Sequence, residues 1–437
     1  MKIAVIGIGY VGTAVAAKFA EIGHEVIGVD IDQNKVDAIN SGKNPLLGDE
    51  PRLPELIQEV SLSGNLKATS DYSICSEMET IIVAVETPFD TRRKRPLYFS
   101  LRKALESLSP YIKKGTLVVI ESTLAPKTTD TIIQPILEKG SGFKAGIDFY
   151  LSHAPERVMP GVLLHNIENL DRVVGGVSET CRKKAQELYQ RLTKGIVETT
   201  TNLMAETVKT TENAYRDVQI AFANEVALLA TTLELDVYEL REFVNKVPGR
   251  HIHLPGAGVG GHCIPKDSWL LAYGAQGKFQ PRLLIDAREI NDFMPHHVAD
   301  LCEESLDHIG KSLNNAKIVV LGVAFLENSG DIRNSPAASL IEDLEVFNCD
   351  LTLHDPYVQQ LNGHLVTQDI LKAVQNADAI ILVTKHKEYY NLDWKAISLA
   401  MRPQPVFIDG RNVLKRNKAE EIGFLYQGVG NYRRPSN

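Results

Sequence analysis

The chain has 437 residues, which is enough for two or three domains, and its 44% hydrophobic and 23% charged residues are typical of an ordinary globular protein. A formal net charge of −8 argues against a nucleic-acid or membrane-surface partner, and no apolar run approaches the length of a membrane span. The five cysteines are scattered and include no Cys-x-x-Cys pair. We therefore expect free thiols in a reducing cytoplasm, with neither a disulfide framework nor a zinc site.

The first thirty residues form a predicted strand–helix–strand unit. Lys2–Ile6 is a short apolar run typical of a buried parallel strand, and we expect no signal peptide before it. Gly7–Gly12 has the pattern Gly-x-Gly-x-x-Gly, a helical pattern runs over Val11–Ile22, and His24–Asp30 is the second strand. The motif is weak evidence alone, but here it lies between a strand and a helix, with an acid ending the second strand. It therefore predicts a dinucleotide-binding site.

Each part of this fingerprint has a physical role. Gly7 makes the turn, Gly9 admits the pyrophosphate, and Gly12 lets the helix pack on the strand. Asp30 should accept hydrogen bonds from the adenosine ribose hydroxyls, and its carboxylate repels a 2′-phosphate, so NAD is favoured over NADP. The predicted cofactor-binding residues of this unit are Gly7, Gly9, Tyr10, Val11, Gly12 and Asp30.

Three more buried strands follow, and each one ends in a polar loop. The pairs are Thr80–Val85 with Glu86–Pro88, Thr116–Ile120 with Glu121–Thr123, and Asp148–Ser152 with His153–Arg157. Ligands bind outside the carboxyl ends of strands in open parallel sheets, so we expect these loops to line one crevice. The candidate side chains are those of Thr87, Thr123, Glu156 and Arg157. The alternative is ordinary turn chemistry, with Glu156 and Arg157 forming a surface pair.

Residues 202–232 contain no Pro or Gly and predict a single helix, about 45 Å long at 1.5 Å per residue. Lys209 and Asn213 are four residues apart and therefore neighbours on one face, although a solvated charged face is the alternative. We expect this helix to link domains and to form a dimer interface. Its apolar side comprises Val208, Tyr215, Val218, Phe222, Val226 and Leu229.

A glycine-rich stretch, Gly256–Asp267, carries the most informative cysteine. Four glycines in six residues leave the backbone bare and permit positive φ angles. Cys263 follows the last glycine by two residues, Pro265 is expected to keep it out of regular helix, and a helix is predicted from Ser268. Such a setting activates a thiol and lets a ligand approach closely. The alternative is a small buried cysteine beside a glycine turn.

The C-terminal part begins a second α/β pattern, after helical segments that continue to about Gly310. Ala316–Phe325 echoes the N-terminal strand and turn. Further strands are predicted at Asp350–Asp355, Asp378–Thr384 and Val406–Gly410. The glycine fingerprint is missing, since Ala324 and Leu326 replace the required spacing, so we expect this sheet to bind the nucleotide of the substrate. The tail from Gly428 to Asn437 is polar and is expected to be frayed.

These patterns predict an α/β protein with two Rossmann-like, doubly wound domains, joined by a long central helix and a helical middle domain. The predicted boundaries are 1–200 for the NAD-binding domain, 201–310 for the central dimerisation domain with the glycine-rich loop, and 311–437 for the domain that binds the substrate. No spacing typical of a metal site occurs, so no metal is expected.

Taken together, the motifs of the whole chain resemble those of the UDP-glucose/GDP-mannose dehydrogenase family. The motifs are GIGYVG at Gly7–Gly12, EST at Glu121–Thr123, APER at Ala154–Arg157, KTTEN at Lys209–Asn213, GVGGHCIPKD at Gly258–Asp267, DIRNSPA at Asp331–Ala337 and DGRN at Asp409–Asn412. The Pro155–Gly161 run and His262 are similar to the UDP-N-acetylhexosamine branch, and Asn213–Glu225 is similar to enzymes that use UDP-N-acetylmannosamine. Leu326 departs from the family, which often has a lysine there.

The resemblance implies an NAD-dependent oxidation of a sugar C6 hydroxymethyl group to a carboxylate, which is a four-electron change. An aldehyde cannot lose a hydride until a nucleophile adds to it. The resemblance gives that role to Cys263, through a thiohemiacetal and then a thioester that water hydrolyses. Lys209 and Asn213 would steady the developing oxyanion, and Asp267 would transfer protons through a water molecule held by Thr123.

The resemblance also implies a set of binding residues. Glu156 is a candidate base for thioester hydrolysis, and Arg333 would reach the NAD phosphates. Arg411 would meet the substrate nucleotide, and Arg250 would contact substrate across a dimer interface. The residues expected to contact the UDP-sugar substrate are Glu156, Arg157, Lys209, Asn213, Arg250, Gly260 and Arg411. The expected assembly is a homodimer or a higher homo-oligomer.

Three alternatives stay open on the sequence alone. UDP-N-acetylmannosamine comes first, with UDP-N-acetylglucosamine or UDP-glucose as the other sugars, because the sequence does not fix the epimer. A two-electron dehydrogenase of the 3-hydroxyacid type also joins a Rossmann domain to a long helix, but it needs neither the cysteine nor a second α/β domain. A non-catalytic protein that binds nucleotide sugars would not need Lys209, Asn213, Cys263 and Asp267.

Overall fold

A computed structural model gives the fold and describes residues 1–46, 50–157 and 161–431. The chain divides into two compact units. The first comprises Met1–Glu212 and Trp269–Gln280, and the second comprises Asn213–Ser268 and Pro281–Asn437. Residues 158–160 of the branch-specific run and 432–437 of the predicted tail lie outside the described residues. The three predicted domain boundaries are not decided by this division and stay a prediction.

The first unit contains a large sheet, a separate two-stranded sheet and the surrounding helices. Its strands are β1 Lys2–Ile6, β2 Glu25–Val29, β3 Leu66–Thr69, β4 Thr80–Val83, β5 Phe89–Asp90, β6 Arg95–Pro96, β7 Leu117–Ile120, β8 Tyr150–His153, β9 Arg172–Gly176 and β10 Val197–Thr200. Its helices are α1 Tyr10–Glu21, α2 Gln33–Asn40, α3 Leu53–Leu62, α4 Phe99–Leu108, α5 Gln134–Ser141, α6 Leu163–Asn169 and α7 Glu179–Gln190. Helix α8, Asn202–Thr232, begins in this unit and ends in the second.

The large sheet has the strand order β10-β9-β8-β7-β4-β1-β2-β3. Its strands pair in parallel except β8 and β9, so β9 and β10 run against the others. The run β3-β2-β1-β4 places β1 at the centre, and the order reverses between β1 and β4, where doubly wound sheets bind ligands. Alternate residues of β1 are buried on opposite faces, Ile3 and Val5 in one core and Ala4 and Ile6 in the other. This two-sided burial explains why the strand is apolar throughout.

The second unit repeats this plan. Its strands are β11 Lys317–Leu321, β12 Asp350–His354, β13 Gln360–Leu361, β14 His364–Thr367, β15 Ala379–Leu382, β16 Val406–Asp409 and β17 Leu425–Gly428. Its helices are α9 Val237–Asn245, α10 Ile264–Gly274, which ends in the first unit, α11 Arg282–His308, α12 Pro336–Val346, α13 Ile370–Val374, α14 Trp394–Ala400 and α15 Arg416–Ile422. The order β14-β12-β11-β15-β16-β17 is again doubly wound, with β13 antiparallel at the edge. The predicted fold class is confirmed.

Helix α8 has the predicted bounds, but its buried side is not the predicted apolar side. Its buried residues are alanines and polar side chains, among them Ala205, Glu206, Lys209, Ala214, Asp217, Ala221, Asn224, Ala227 and Ala230. The large side chains of Tyr215, Phe222 and Leu229 are 63%, 54% and 55% exposed. The large apolar residues of α8 therefore lie on the surface of the chain.

The tail is ordered further than predicted. Val429 is fully buried, the Asn431 amide donates to the Gly428 carbonyl, and Arg416 Nε donates to Asn431 Oδ1 at 3.0 Å. The prediction of fraying is therefore wrong for residues 428–431, because Val429 is buried in the core of the second unit and fixes this segment. All five cysteines are unbridged. In the described part of the chain, no helix has both the length and the hydropathy to cross a membrane.

Candidate active site

The glycine fingerprint of the first unit has the geometry of a dinucleotide cradle. Gly7 has φ +93°, and a Cβ there would lie 2.9 Å from the Ala84 carbonyl oxygen. A Cβ on Gly12 would lie 2.0 Å from the Gly7 carbonyl oxygen, whereas a Cβ on Gly9 would meet nothing within 4 Å. The space beside Gly9 therefore lies open at the N-terminus of α1, where a phosphate is favoured. These residues fit the pyrophosphate of NAD.

Asp30 completes this cradle at the end of β2. Its Oδ2 accepts a hydrogen bond from the Ile8 amide at 2.7 Å, and its Oδ1 accepts one from the Asp32 amide at 3.0 Å. Each carboxylate oxygen keeps a further lone pair, which suits a ribose diol. Lys35 Nζ lies 3.7 Å from Asp30 Oδ2, a contact that the sequence analysis missed. The sequence signal for this contact was the position of Lys35 in the first turn of α2, shortly after Asp30.

Tyr10 opens α1 and is tied to a residue that the sequence analysis did not single out. Its hydroxyl donates to Oε1 of the buried Glu50 at 2.7 Å. Glu50 Oε2 also accepts from the Leu163 amide at 3.3 Å, so it connects the fingerprint helix to the start of α6. Val11 packs against the core that contains Ile3 and Val5. Tyr10 and Val11 thus hold α1 in place beside the glycine turn.

The loops after β4 and β7 come together as predicted. Thr87 Oγ1 donates to the Thr123 carbonyl at 2.9 Å, and Ser122 Oγ donates to the Val85 carbonyl at 2.6 Å. These crossed side-chain bonds fix both loops at the carboxyl edge of the sheet. Thr87 is almost fully buried, whereas Thr123 is half-buried.

Glu156 lies in a buried charge cluster. Its Oε2 forms an ion pair with Arg172 Nη1 at 2.7 Å, and the Arg172 guanidinium lies 4.9 Å from the centre of the Tyr189 ring. Tyr189 in turn donates to Glu121 Oε1 at 2.6 Å. Burial, and then the charge of Glu156, raises the pKa of Glu121 to about 8. At neutral pH Glu121 therefore carries a proton, and Arg172 is left to neutralise Glu156.

The alternative of a surface pair between Glu156 and Arg157 is wrong. Arg157 pairs instead with Glu212, and its Nη1 donates to the Asp171 carbonyl at 2.9 Å. Arg172 reaches Glu156 because β9 runs antiparallel to β8, which places the first residue of β9 at the carboxyl end of β8. Arg172 could not be predicted as a partner of Glu156, since the sequence does not give the direction of β9.

The cysteine of the second unit stands at the start of α10. The Cys263 carbonyl accepts hydrogen bonds from the Lys266 and Asp267 amides at 3.1 and 2.9 Å, so Cys263 is the residue that caps the helix. The predicted start at Ser268 is wrong. Pro265 lies in the first helical turn, where a residue without an N–H loses no helical hydrogen bond, so it does not delay the helix. The half-buried thiol lies 4.0 Å from His262 Nδ1.

His262 does not form an imidazolium–thiolate pair with this cysteine at neutral pH. Burial lowers the pKa of His262 to about 4, helped by the charges of Lys266 and Arg333. The imidazole is therefore neutral. Cys263 lies instead at the N-terminus of α10, where the helix amides favour a negative charge.

Hydrogen bonds from the surrounding helices hold the glycine-rich stretch at both ends. Asn224 Oδ1 accepts from the Gly256 amide at 3.0 Å. Ser268 donates to Asp217 Oδ2 at 2.8 Å, and Asp217 forms an ion pair with Arg288, which is fully buried. Both ends of the glycine-rich stretch are therefore anchored to side chains of α8.

Asn213 and Asp267 meet in the second unit. Asn213 Nδ2 donates to Asp267 Oδ2 at 2.6 Å, and Asp267 is fully buried. Because the Asp267 amide also bonds the Cys263 carbonyl, the structure brings Asn213, Asp267 and Cys263 into one cluster. Lys209 lies one turn earlier on α8, at 8% exposure, and belongs to the first unit.

The predicted arginines have different surroundings. Arg333 makes a side-chain pair with Asp331, with Nε to Oδ1 at 2.9 Å. Arg411 follows β16, its amide bonds the buried Asp409, and its guanidinium lies so close to Gly256 that a Cβ there would be 2.5 Å from Nη1. Arg250 is exposed, and its Nη1 donates to the Pro248 carbonyl at 3.3 Å. Arg411 therefore contacts the start of the glycine-rich stretch, at Gly256.

The second sheet has an acid at the end of β12, where the first sheet has Asp30. Asp355 Oδ2 accepts from the Val323 and Ala324 amides at 2.8 and 3.0 Å, and from His386 Nε2 at 3.0 Å. Asp355 is fully buried, so no ribose can reach it. The second sheet thus lacks both the glycine cradle and a free acid for NAD.

Comparison with known proteins matches an NAD binding domain to the first unit and a UDP binding domain to the second. Residues 1–193 match the NAD binding domain of the UDP-glucose/GDP-mannose dehydrogenase family, residues 204–293 match its central domain, and residues 319–416 match its UDP binding domain. A UDP-N-acetyl-D-mannosamine dehydrogenase of Pyrococcus horikoshii is 39% identical, over 98% of this chain and 99% of that protein. An NDP-N-acetyl-D-galactosaminuronic acid dehydrogenase of Ralstonia nicotianae is 34% identical, over 90% of this chain and 92% of that protein.

Solved structures show the same similarity. The UDP-D-ManNAc dehydrogenase of Pyrococcus horikoshii has a TM-score of 0.92 at 38% identity, covering 99% of both chains. The NDP-N-acetyl-D-galactosaminuronic acid dehydrogenase of Methanosarcina mazei has a TM-score of 0.89 at 38% identity, covering 98% of this chain and 95% of that one. The fold and the cradle thus define an NAD-dependent nucleotide-sugar dehydrogenase. The chain belongs to the UDP-glucose/GDP-mannose dehydrogenase family.

Proposed function

We propose that this enzyme oxidises the C6 hydroxymethyl group of a UDP-N-acetylhexosamine to the uronic acid, using two NAD per sugar. The observation that carries the proposal is the cluster of Cys263, Asp267 and Asn213 at the start of α10. The UDP binding domain supports a uridine nucleotide. The activity named for the Pyrococcus relative supports UDP-N-acetyl-D-mannosamine as the sugar, with UDP-N-acetylglucosamine or UDP-glucose as the alternatives.

In the proposed chemistry the C6 alcohol is first oxidised to an aldehyde. NAD held at the Gly7–Gly12 cradle and Asp30 would supply the hydride acceptor for each of the two oxidations. The Cys263 thiolate adds to the aldehyde carbon and forms the C–S bond of a thiohemiacetal, which restores a tetrahedral carbon with a C–H bond. Loss of that hydride leaves a thioester. Water then adds to the thioester, the C–S bond breaks, and the uronate and the thiolate separate.

Five other side chains are proposed to assist. Asn213 uses one amide hydrogen on Asp267, so its second can be given to an oxyanion, together with the ammonium of Lys209. Asp267 is proposed to exchange protons through a water molecule that Thr123 holds. Glu156, which forms an ion pair with Arg172, is proposed to take a proton from the hydrolytic water.

The binding roles are proposals as well. Arg411 suits the substrate nucleotide, since it follows a strand of the second sheet and lies against the glycine-rich stretch at Gly256. Gly260 and Arg157 are kept in the substrate set, and Arg333 in the NAD set, on the resemblance alone.

The substrate is tested by turnover of UDP- and GDP-sugars while NADH and consumed sugar are counted. We expect two NADH per sugar, with UDP-N-acetyl-D-mannosamine fastest. Faster use of UDP-glucose or GDP-mannose would contradict the proposed branch. One NADH per sugar would favour the two-electron alternative, and binding without turnover would favour a non-catalytic protein.

The covalent step is tested at Cys263. We expect Cys263→Ala to lose uronate formation, because no thiohemiacetal forms, and Cys263→Ser to accumulate an ester-linked acyl-enzyme, because an alkoxide leaves less readily than a thiolate. Cys349→Ala is the matched control, since Cys349 is the other half-buried thiol. Mass spectrometry of the acyl-enzyme and NADH counting measure both outcomes. Uronate formation by Cys263→Ala near the wild-type rate would rule out the thiol mechanism.

The exposed side of α8 supports a homodimer. Tyr215, Phe222 and Leu229 recur every seven residues and Leu233 follows by four, so they form one apolar stripe, each more than half exposed. We propose that a second copy of the chain covers this stripe. Light scattering should show Phe222→Glu shifted towards monomer. The exposed Leu399 serves as the control site for a Leu399→Glu change, and an unchanged dimer in Phe222→Glu would place the interface elsewhere.

The proposed compartment is the cytoplasm. All five cysteines are unbridged, as expected where thiols stay reduced, and Cys263 must stay reduced to act. Cell fractionation with an NADH assay measures this, and activity confined to a secreted fraction would contradict it.

A further inference from the structure

His386 is a fully buried side chain with no part in the proposed chemistry. It follows β15, and its Nε2 lies 3.0 Å from Asp355 Oδ2. Its Nδ1 lies 2.9 Å from the Asn328 amide nitrogen, which can only donate. Nδ1 must therefore be bare, the ring proton sits on Nε2, and the ring bridges Asp355 to the Asn328 backbone as one neutral tautomer.

The segment that His386 holds is the loop after β11, residues 324–334. At its start, Thr384 donates to the Ala324 carbonyl at 2.6 Å. At its tip, Asn328 has φ +59°, donates its amide to His386, and accepts from the Lys387 amide at 2.8 Å through its side chain. The tip is otherwise exposed and also carries an ion pair of Glu327 with Lys385 at 3.7 Å, so the segment 384–387 decides where it lies.

The same loop supports the glycine-rich stretch. The Gly261 amide donates to the Arg333 carbonyl at 2.8 Å, and Asn334 Nδ2 donates to the Gly261 carbonyl at 3.0 Å. Phe325 packs so closely that a Cβ on Gly260 or Gly261 would lie 2.5 or 2.7 Å from it. Cys263 is two residues from Gly261. Movement of the loop therefore reaches the thiol over a short, bonded path.

We infer that His386 is a positioning residue for Cys263, acting through the loop 324–334. It does not touch the reacting atoms. It fixes the loop, the loop fixes Gly261, and Gly261 fixes the entry of Cys263 into α10. This inference rests on the proposed role of Cys263, and it links the second sheet to the thiol through the loop 324–334 and Gly261.

Two substitutions separate the two bonds of the ring. In His386→Asn the amide oxygen can take the place of Nδ1 and accept from Asn328, but the bond to Asp355 is lost. In His386→Gln the amide nitrogen can take the place of Nε2 and donate to Asp355, but the loop is released. We expect His386→Gln to be the damaging change and His386→Asn to be tolerated. Tyr389→Phe, which removes a 3.0 Å bond to His354 but keeps the ring that packs 5.6 Å from the His386 ring, is the control for a lost hydrogen bond in the same core.

Two readouts are needed. In single turnover, the second NADH should form about tenfold more slowly in His386→Gln, the order of one lost hydrogen bond, while the first NADH is spared. Alkylation of Cys263 by iodoacetamide should also slow several-fold, because the thiol leaves the helix N-terminus. Cys349, the other half-buried thiol, should react at the wild-type rate. His386→Asn and Tyr389→Phe should stay within about twofold of wild type in both readouts, near the scatter of neutral changes.

Equal behaviour of His386→Asn and His386→Gln would overturn the inference, and so would a parallel rise in Cys349 alkylation, which indicates general loosening. If the buried substitutions fail to fold, Asn328→Gly keeps the backbone bond but loses the one to Lys387. It should slow Cys263 alkylation in the same direction, and a wild-type rate would count against the inference. Alkylation requires no turnover, so this readout stands even if Cys263→Ala still makes uronate, the result that refutes the proposed chemistry.

Discussion

Alanine at Gly9 and alanine at Gly12 should have opposite effects, although both glycines belong to one motif. Gly9 has φ −92°, which any residue adopts, and a Cβ there meets nothing within 4 Å. A Cβ on Gly12 would lie 2.0 Å from the Gly7 carbonyl oxygen, when ordinary contact begins at 3.4 Å. Gly9→Ala should therefore fold normally and bind NAD poorly, whereas Gly12→Ala should damage the fold itself.

The magnitudes follow from these distances. Gly9→Ala should change the free energy of unfolding by no more than about 0.5 kcal/mol, as for a surface substitution. Its methyl group would occupy the space proposed for the pyrophosphate, and we expect at least a tenfold rise in Kd for NAD, about 1.4 kcal/mol. In Gly12→Ala the helix and the turn must separate by more than 1 Å. Overpacking of that kind costs about 1–3 kcal/mol, or a Tm lower by several degrees.

The assay combines a thermal melt without NAD and calorimetric titration with NAD. Gly9→Ala should melt with the wild type and bind weakly, and Gly12→Ala should melt early. A wild-type Kd for NAD in Gly9→Ala would refute the assignment of the cradle. A wild-type Tm in Gly12→Ala would refute the packing argument.

Three further predictions concern charged groups. Asp30→Ala should weaken NAD binding and improve the relative use of NADP, and equal wild-type kcat/KM for both cofactors would contradict the ribose assignment. Arg288→Met should lower the free energy of unfolding by about 3–5 kcal/mol, because Asp217 is left buried without its ion-pair partner. Adding Asp217→Asn should restore part of the Tm, and no recovery would argue against the ion pair. The pKa of Glu121, raised to about 8, means that folding favours its protonated form, so its stabilising contribution is full below 4.5 and falls as pH rises towards 8. Glu121→Gln should therefore gain in Tm relative to wild type between pH 5 and 8, and a constant difference would contradict the shift.

The sequence by itself determined the features that depend on near neighbours along the chain. A strand, a glycine turn and a helix are local, so the cradle at Gly7–Gly12 and the acid at Asp30 were predicted where they lie. The bounds of α8 were also predicted, because a long run without Pro or Gly, with apolar residues at helical spacing, indicates a single helix. The start of α10 was missed, because proline is excluded from helix interiors but accepted in the first turn.

Only the tertiary structure decided which distant residues meet. Arg172 pairs with Glu156 because β9 reverses direction beside β8, and Arg288 pairs with Asp217 across 71 residues of chain. His386 reaches Asp355 and Asn328 because β15 and β12 flank β11. Such pairs leave no periodicity in the sequence, since the choice of partner is made by strand order and direction. Burial then makes these pairs matter, because a charged or polar group removed from water must find its partner inside the fold.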